Sequence, residues 1–355
     1  MAPAIREHYG LSLTQVGVVL AAVNFGAIVT LLPWGLVADR IGERAVIGIG
    51  QAAAAVALVW AGSARSFGVL VVALALAGAV GAGVNAASGR AVMAWFGAEE
   101  RGLALGIRQM AVPLGGAIAA GVLPALEAHI SLRAAFIGLA AGCVVAAIVG
   151  ATLIRAEVHD GHEHLERPLR DPRVWRICVA STFYVTTQIA LIGFIVLFLH
   201  DHRGVSTAVA AGALAATQIF GGVARIGVGR WSDRIRARIV PLRRVAVGLA
   251  LTVAAVTVLV DAPVAVIVPA LVVAGTFALS WNGLSFTAIA ETAGRARSGA
   301  AIGLQQTFLS GGSIVAPIAF GAAVHHASWR AAFALAAISP LVGYALLSPL
   351  SERRL

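Results

Sequence analysis

The chain lacks the charge that a soluble protein of its length would carry. Only 12% of its 355 residues are Asp, Glu, Lys or Arg, where an ordinary soluble domain has about a quarter. It has no lysine, all 26 basic residues being arginine; this reflects coding preference more than function. Its two cysteines, Cys143 and Cys178, lie in or beside apolar runs, which excludes a disulfide framework and a cysteine metal site. No glycine-rich loop closed by lysine offers a cradle for nucleotide phosphates, so ATP-driven work has no sequence support. The first ten residues do not have the shape of a signal peptide.

Apolar residues fill the space that charge leaves. They make up 59% of the chain, with 40 glycines among the remainder. A helix crossing a bilayer needs about 20 mostly apolar residues, and small residues let such helices pack closely in lipid. Eleven runs fit: Ser12–Trp34, Ala45–Gly62, Phe67–Gly89, Gly102–Pro124, Leu132–Ile154, Trp175–Phe198, Thr207–Val228, Val245–Val260, Pro263–Ala288, Gly299–Gly321 and Trp329–Leu347. Helix is the expected state, because a segment in lipid must satisfy its own backbone polar groups. The short alternating strands of a barrel are not seen. The chain therefore reads as an all-α, multi-pass membrane protein with two helical bundles, 1–154 and 175–355, joined by a polar loop at 155–174.

The two halves repeat. A shift of 197 residues brings Asn85 onto Asn282, Gly102 onto Gly299, Gly106 onto Gly303 and Gln109 onto Gln306. The same shift brings Arg133-Ala134-Ala135-Phe136 onto Arg330-Ala331-Ala332-Phe333. Nearer the start a shift of 194 matches Gly35 to Gly229, Asp39 to Asp233 and Arg40 to Arg234. Repeats of this kind mark transporter folds, whose substrate site lies at the repeat interface near the bilayer midplane. One set of loops holds nineteen arginines and the opposite set five. The arginine-rich set is expected to be cytoplasmic, and the C-terminus with it.

Gly35-Leu36-Val37-Ala38-Asp39-Arg40-Ile41-Gly42-Glu43-Arg44 resembles the signature loop of the major facilitator superfamily. Gly229-Arg230-Trp231-Ser232-Asp233-Arg234 resembles its second, degenerate copy. The resemblance implies a two-bundle transporter in a bacterial inner membrane, monomeric, with a small-molecule substrate, no cofactor, and a proton as one candidate coupling ion. It also places the first loop after helix 2, whereas here it follows the first apolar run. The chain thus reads as a twelve-helix transporter without helix 1, and a misplaced start explains this more simply than a shortened protein.

Helix N-termini carry unpaired N–H groups and partial positive charge. Asp39 is expected to cap the run that opens near Gly299, and Asp233 the run that opens near Gly102, as two cytoplasmic gates. Gly35, Gly42 and Gly229 shape these loops. Arg40, Arg44 and Arg234 read equally as gate partners or orientation signals, and Arg90 as a gate residue or an ordinary helix-end cation. The paired Gly102-x-x-x-Gly106 and Gly299-x-x-x-Gly303 read as close-packing faces. Ala111 to Gly116 is a weak match to an antiporter motif, since no glycine precedes Pro113.

Arg108 lies seven residues past Arg101, about 10 Å into the span. Such a cation either anchors an anionic substrate group or forms a structural pair. Arg225, one turn from Gly229, suggests an interfacial role. The neutral polar residues Asn24, Asn85, Gln109, Tyr184, Gln188, Gln218, Asn282, Gln305 and Gln306 fall in runs that the resemblance places around the cavity, and Trp281 stands beside Asn282. Each reads as cavity lining or as an interhelical hydrogen bond. No Asp or Glu lies deep in any run, so neither a carboxylate proton relay nor an intramembrane enzyme is visible. The His159-Asp160-x-His162-Glu163-His164 run reads as a solvated linker before a metal site. The basic loops give no nucleic-acid face. The favoured function is alternating-access transport of a small organic anion; the alternative is export of lipophilic compounds.

Overall fold

The computed structural model describes residues 2–154 and 170–350. The histidine run of the central loop, Arg155, Arg167, Arg353 and Arg354 lie outside the described residues. Every regular element among the described residues is helical. In chain order they are α1 (Ala2–Tyr9), α2 (Leu13–Ile41), α3 (Glu43–Ala61), α4 (Phe67–Gly81), α5 (Gly83–Trp95), α6 (Arg101–Arg108), α7 (Ala111–His129), α8 (Leu132–Leu153), α9 (Pro172–Leu197), α10 (Thr207–Arg234), α11 (Ile239–Val258), α12 (Val264–Ser280), α13 (Asn282–Ala293), α14 (Ser298–His326) and α15 (Trp329–Leu347). A π-turn, Phe198–His202, extends α9, and a 3-10 turn, Arg295–Arg297, precedes α14.

Among the described residues ten helical stretches are long and apolar enough to cross a bilayer, with α4–α5 and α12–α13 each counted as one. The run Gly102–Pro124, expected as a single span, is divided at Gln109–Met110 into α6 and α7. Pro113 falls in the first turn after the break. Pro113 has no N–H, so the carbonyl four residues earlier, that of Gln109, loses its helical donor.

Serine and glycine set the helix boundaries. Ser12 caps α2 in a reciprocal box with Gln15. Ser131 accepts from the Ala134 N–H and Ser328 from the Ala331 N–H, both at 3.1 Å. The repeated Arg-Ala-Ala-Phe is thus the first turn of a serine-capped helix in both halves, each cap stabilising its helix by roughly 1 kcal/mol. Gly42, at φ 82°, ends α2 in a conformation that only glycine adopts freely.

The helices form two compact units. The first holds α1–α5, α7, α8 and the segment Ala293–Thr307, which includes the opening turns of α14. Leu70, Leu74 and Phe136 anchor one core cluster, onto which Ile5 of α1 and Val19 of α2 pack. Here α2 and α4 meet backbone to backbone. A Cβ on Gly26 would overlap the Ala75 carbonyl, and one on Gly78 the Val23 carbonyl. Thr30 and Trp34 of α2 both donate to the Ala79 carbonyl at 2.7 Å. By contrast α7 has no buried residue among its described side chains.

The second unit holds α6 with its flanking residues Phe96–Met110, α9–α13, and the chain from Phe308 through α15. Its core runs through Phe198, Leu249, Val253, Ile267 and Phe333. Phe194, Phe198, Phe320, Trp329 and Phe333 form an aromatic cluster with ring centroids 4.8–6.3 Å apart. The α12–α13 break falls at Trp281, and the related break in the first unit, α4–α5, falls at Ala82.

The Gly26–Gly78 contact leaves no room for a side chain. Gly26→Leu should lower stability by roughly 1–3 kcal/mol through overpacking, read as a fall in the thermal unfolding midpoint in detergent. Gly142→Leu, at a position where an added Cβ meets nothing within 4 Å, should stay within about 0.5 kcal/mol.

Candidate functional site

Each unit contains the same arrangement, a carboxylate on the N-terminus of a helix from the other half of the chain. In the first unit Asp39, in the last turn of α2, accepts from the Gly299 N–H at 2.9 Å and the Ala300 N–H at 2.8 Å. In the second, Asp233, in the last turn of α10, accepts from the Gly102 N–H at 2.9 Å and the Leu103 N–H at 2.8 Å. Each carboxylate satisfies two of the four donors that a helix N-terminus leaves open, where the helix dipole favours negative charge.

Glycine permits the approach. A Cβ on Gly35 would collide with the Gly299 backbone, and one on Gly303 with the Leu31 carbonyl. In the second unit Gly229 lies against the Gly102 backbone and Gly106 against the Arg225 carbonyl. Leu31 and Arg225 are themselves related by the 194-residue shift, so the repeat extends to the backbone contacts. Both Gly-x-x-x-Gly pairs are therefore close-packing faces.

The charges around the two caps differ. In the first unit Arg90, buried on α5, pairs with Glu43 and lies 3.5 Å from Asp39. In the second, Arg238 bonds Asp233 at 2.6 Å and Glu291 at 3.0 Å, and also donates to the Ala98 carbonyl. Arg101 lies 3.7 Å from the same Glu291. Burial opposes the charge on Arg238, but the bonds and charges of Glu291 and Asp233 outweigh it and raise its pKa above the usual value. Glu43, Arg238 and Glu291 escaped the sequence reading as site residues. One signal was available, since Arg238 is the image of Arg44 at the 194-residue shift. Arg40, Arg44 and Arg234 are exposed and make no ion pair among the described residues. Gly42 forms the junction of α2 and α3 beside the first cap.

The remaining polar residues divide between the units. Asn24, Asn85, Gln305 and Gln306 belong to the first. Asn24 is exposed on α2, its Nδ2 3.5 Å from the Leu20 carbonyl of its own helix. Asn85 and Gln306 are half-buried, and Gln305 is fully buried. Arg108, Gln109, Tyr184, Gln188, Gln218, Trp281 and Asn282 belong to the second. Gln218 is half-buried on α10. The Tyr184 and Trp281 rings meet edge to face at 5.6 Å. Arg108 donates to Gln109 Oε1 at 3.0 Å and lies 6.0 Å from the Phe286 ring centroid. Phe286 is one turn beyond Asn282 on α13, so the two share a helix face.

Four polar atoms of this second group are buried with no hydrogen-bond partner among the described residues: Tyr184 Oη, Gln188 Oε1, Trp281 Nε1 and Asn282 Oδ1. Native interiors leave few such atoms. Arg225 differs from them. It is buried, and donates to the Leu279 carbonyl at 2.7 Å and to the Gln109 carbonyl at 2.9 Å. The second acceptor is the one that Pro113 sets free, so Arg225 supplies the missing donor where α6 ends.

The sequence profile of the Major Facilitator Superfamily matches residues 1–317. The chain belongs to this superfamily. It is thus a multi-pass membrane protein of a transporter family. It is 33% identical over 351 residues to the MFS-type transporter Rv2994 of Mycobacterium tuberculosis H37Rv, covering 97% of this chain and 79% of that one. A shorter match, 35% over 140 residues, covers 39% of this chain and 33% of the probable sulfoacetate transporter SauU of Cupriavidus necator H16. In fold it is similar to the crystal structure of the superfamily transporter FucP in the outward conformation, with TM-score 0.74 and 18% identity over 99% of this chain and 93% of that one.

Asp39→Ala and Asp233→Ala each strip two helix N–H groups of their acceptor. Each should cost about 1–3 kcal/mol, measured as a lower unfolding midpoint in detergent. Arg40→Gln, on an exposed side chain without an ion pair, should cost less than about 0.5 kcal/mol.

Proposed function

We propose that this superfamily member is a secondary transporter that moves a small organic anion by alternating access, with the Asp39 and Asp233 caps as its gate on the arginine-rich, cytoplasmic side. The paired caps carry this reading. Each joins a helix end of one chain half to a helix start of the other through bonds that need no covalent change to break. Opening them releases four helix N–H groups to water, where other acceptors are available. Arg90 with Glu43, and Arg238 with Glu291, hold each carboxylate in register while the cap is closed.

Substrate class follows from Arg108 and its surroundings. A guanidinium over the Phe286 ring within the second unit is a cation in the apolar run Gly102–Pro124, and cations within membrane segments mark substrate pathways. The orphaned Tyr184, Gln188, Trp281 and Asn282 atoms offer donors and acceptors that a polar solute satisfies when they become accessible. A sulfoacetate transporter among the relatives fits the same chemistry, since sulfoacetate is a small organic anion.

Uptake of radiolabelled sulfoacetate and of small carboxylates into proteoliposomes tests the reading. Arg108→Ala should reduce uptake at least ~10-fold, the loss of a charge-assisted contact worth about 1.4 kcal/mol or more, and Arg108→Lys should restore part of it. Wild-type protein that moves none of these anions, yet lowers ethidium accumulation in cells, would assign it to lipophilic export instead.

A further inference from the structure

The second unit carries more positive charge at its Asp233 end than the caps consume. Three helix ends meet there. Arg244, in the second turn of α11, has its guanidinium carbon 5.8 Å from the Trp231 ring centroid, near the end of α10. Arg243 lies 4.7 Å from the ring centroid of Tyr344, in the last turn of α15, and donates to its hydroxyl at 2.9 Å. Each guanidinium is therefore oriented by an aromatic ring. Arg243 Nε is buried and has no acceptor among the described residues. Arg230 and Arg234, on the last turns of α10, are exposed and make no ion pair among the described residues.

Most of the described carboxylates at this end are engaged, Glu100 at the start of α6 being exposed without an ion pair among the described residues. Asp233 and Glu291 are bonded to Arg238, and Glu99 lies 3.4 Å from Arg236. The patch accordingly offers four arginines to an anion, and its charge balance favours an anion over an ammonium or choline group. Its location points to the bilayer as the source of that anion. α10 and α11 are of bilayer-spanning length and composition, so these arginines stand where the apolar runs stop, beside the amphipathic rings Trp231 and Tyr344. Rings of this kind sit at headgroup level. Beyond the arginines α11 continues with Leu251 and Val258 exposed on its surface, a surface suited to acyl chains.

We propose that the α10–α11–α15 end of the second unit binds the phosphate of an anionic phospholipid, with Arg243 and Arg244 held ready by Tyr344 and Trp231 and with Arg230 and Arg234 completing the charge. Basic pockets between membrane helices bind such headgroups through charge and guanidinium–phosphate hydrogen bonds. This inference is independent of which solute the protein transports.

Thermal unfolding of the purified full chain in mild detergent is the test, with dioleoylphosphatidylglycerol, an equimolar amount of dioleoylphosphatidylcholine, or inorganic phosphate added. Phosphatidylglycerol should raise the midpoint by several degrees more than phosphatidylcholine, and inorganic phosphate should not reproduce the shift. The R243Q/R244Q double variant should lose most of that difference. Arg133→Gln, on an exposed arginine of the first unit, should keep it. If R243Q/R244Q does not fold, R230Q/R234Q replaces it, with the same loss expected. Equal shifts with both lipids, an equal shift with phosphate alone, or a full phosphatidylglycerol effect in the arginine variants would overturn the proposal.

Discussion

A helix start in an apolar solvent has four N–H groups and nothing nearby to bond them. Much of this structure answers that constraint. At one end of many helices a serine supplies the acceptor locally. At α6 and α14 the acceptor is an aspartate from the last turn of a distant helix, 131 residues from Gly102 in one case and 260 from Gly299 in the other. A local cap fixes one helix; a distant cap fixes two elements against each other. The second kind depends on close approach, and for this reason Gly35, Gly102, Gly229 and Gly299 lie at the contacts. Any side chain there would hold the carboxylate off the helix by more than a hydrogen bond can span.

The two units solve the same problem with different charges. Asp39 and Asp233 occupy related positions and make bonds of the same lengths, but the cation beside Asp39 comes from α5 and the cation beside Asp233 from its own loop. The balancing acid is Glu43, just after the loop, in one unit and Glu291, at the end of α13, in the other. The repeat thus preserves the backbone contact and the carboxylate while the supporting ion pairs differ. A buried arginine with two acids on either side is costly to break by removing a single partner. The supporting pairs therefore help hold each carboxylate against its helix start.

The helices were legible from the apolar runs because in lipid the run and the helix are the same physical requirement. The caps were legible because the repeat placed an aspartate opposite each Gly-x-x-x-Gly. The supporting pairs were less so, because their partners are far apart in sequence and pairing depends on side-chain reach. Arg238 was visible only as the image of Arg44, which itself is exposed. The division of α6 from α7 was masked by hydropathy, which is continuous across Arg108 to Pro113. Only the chemistry of proline shows that a carbonyl must be left without a donor there.

That carbonyl links the break to the helix opposite it. Gln109 cannot bond forward to residue 113, and the Arg225 guanidinium reaches it at 2.9 Å while also holding the Leu279 carbonyl, two residues before Trp281. One buried cation therefore stitches the end of α6 to the end of α12, the two places where this unit interrupts its helices. The same residue presents its own carbonyl to Gly106, one turn from the Asp233-capped start of α6. A helix interrupted this way needs a fixed donor to keep its direction. Arg225 provides one that is tied to the capped face, so the start of α6 at Gly102 and its end at Gln109 share one side chain as support.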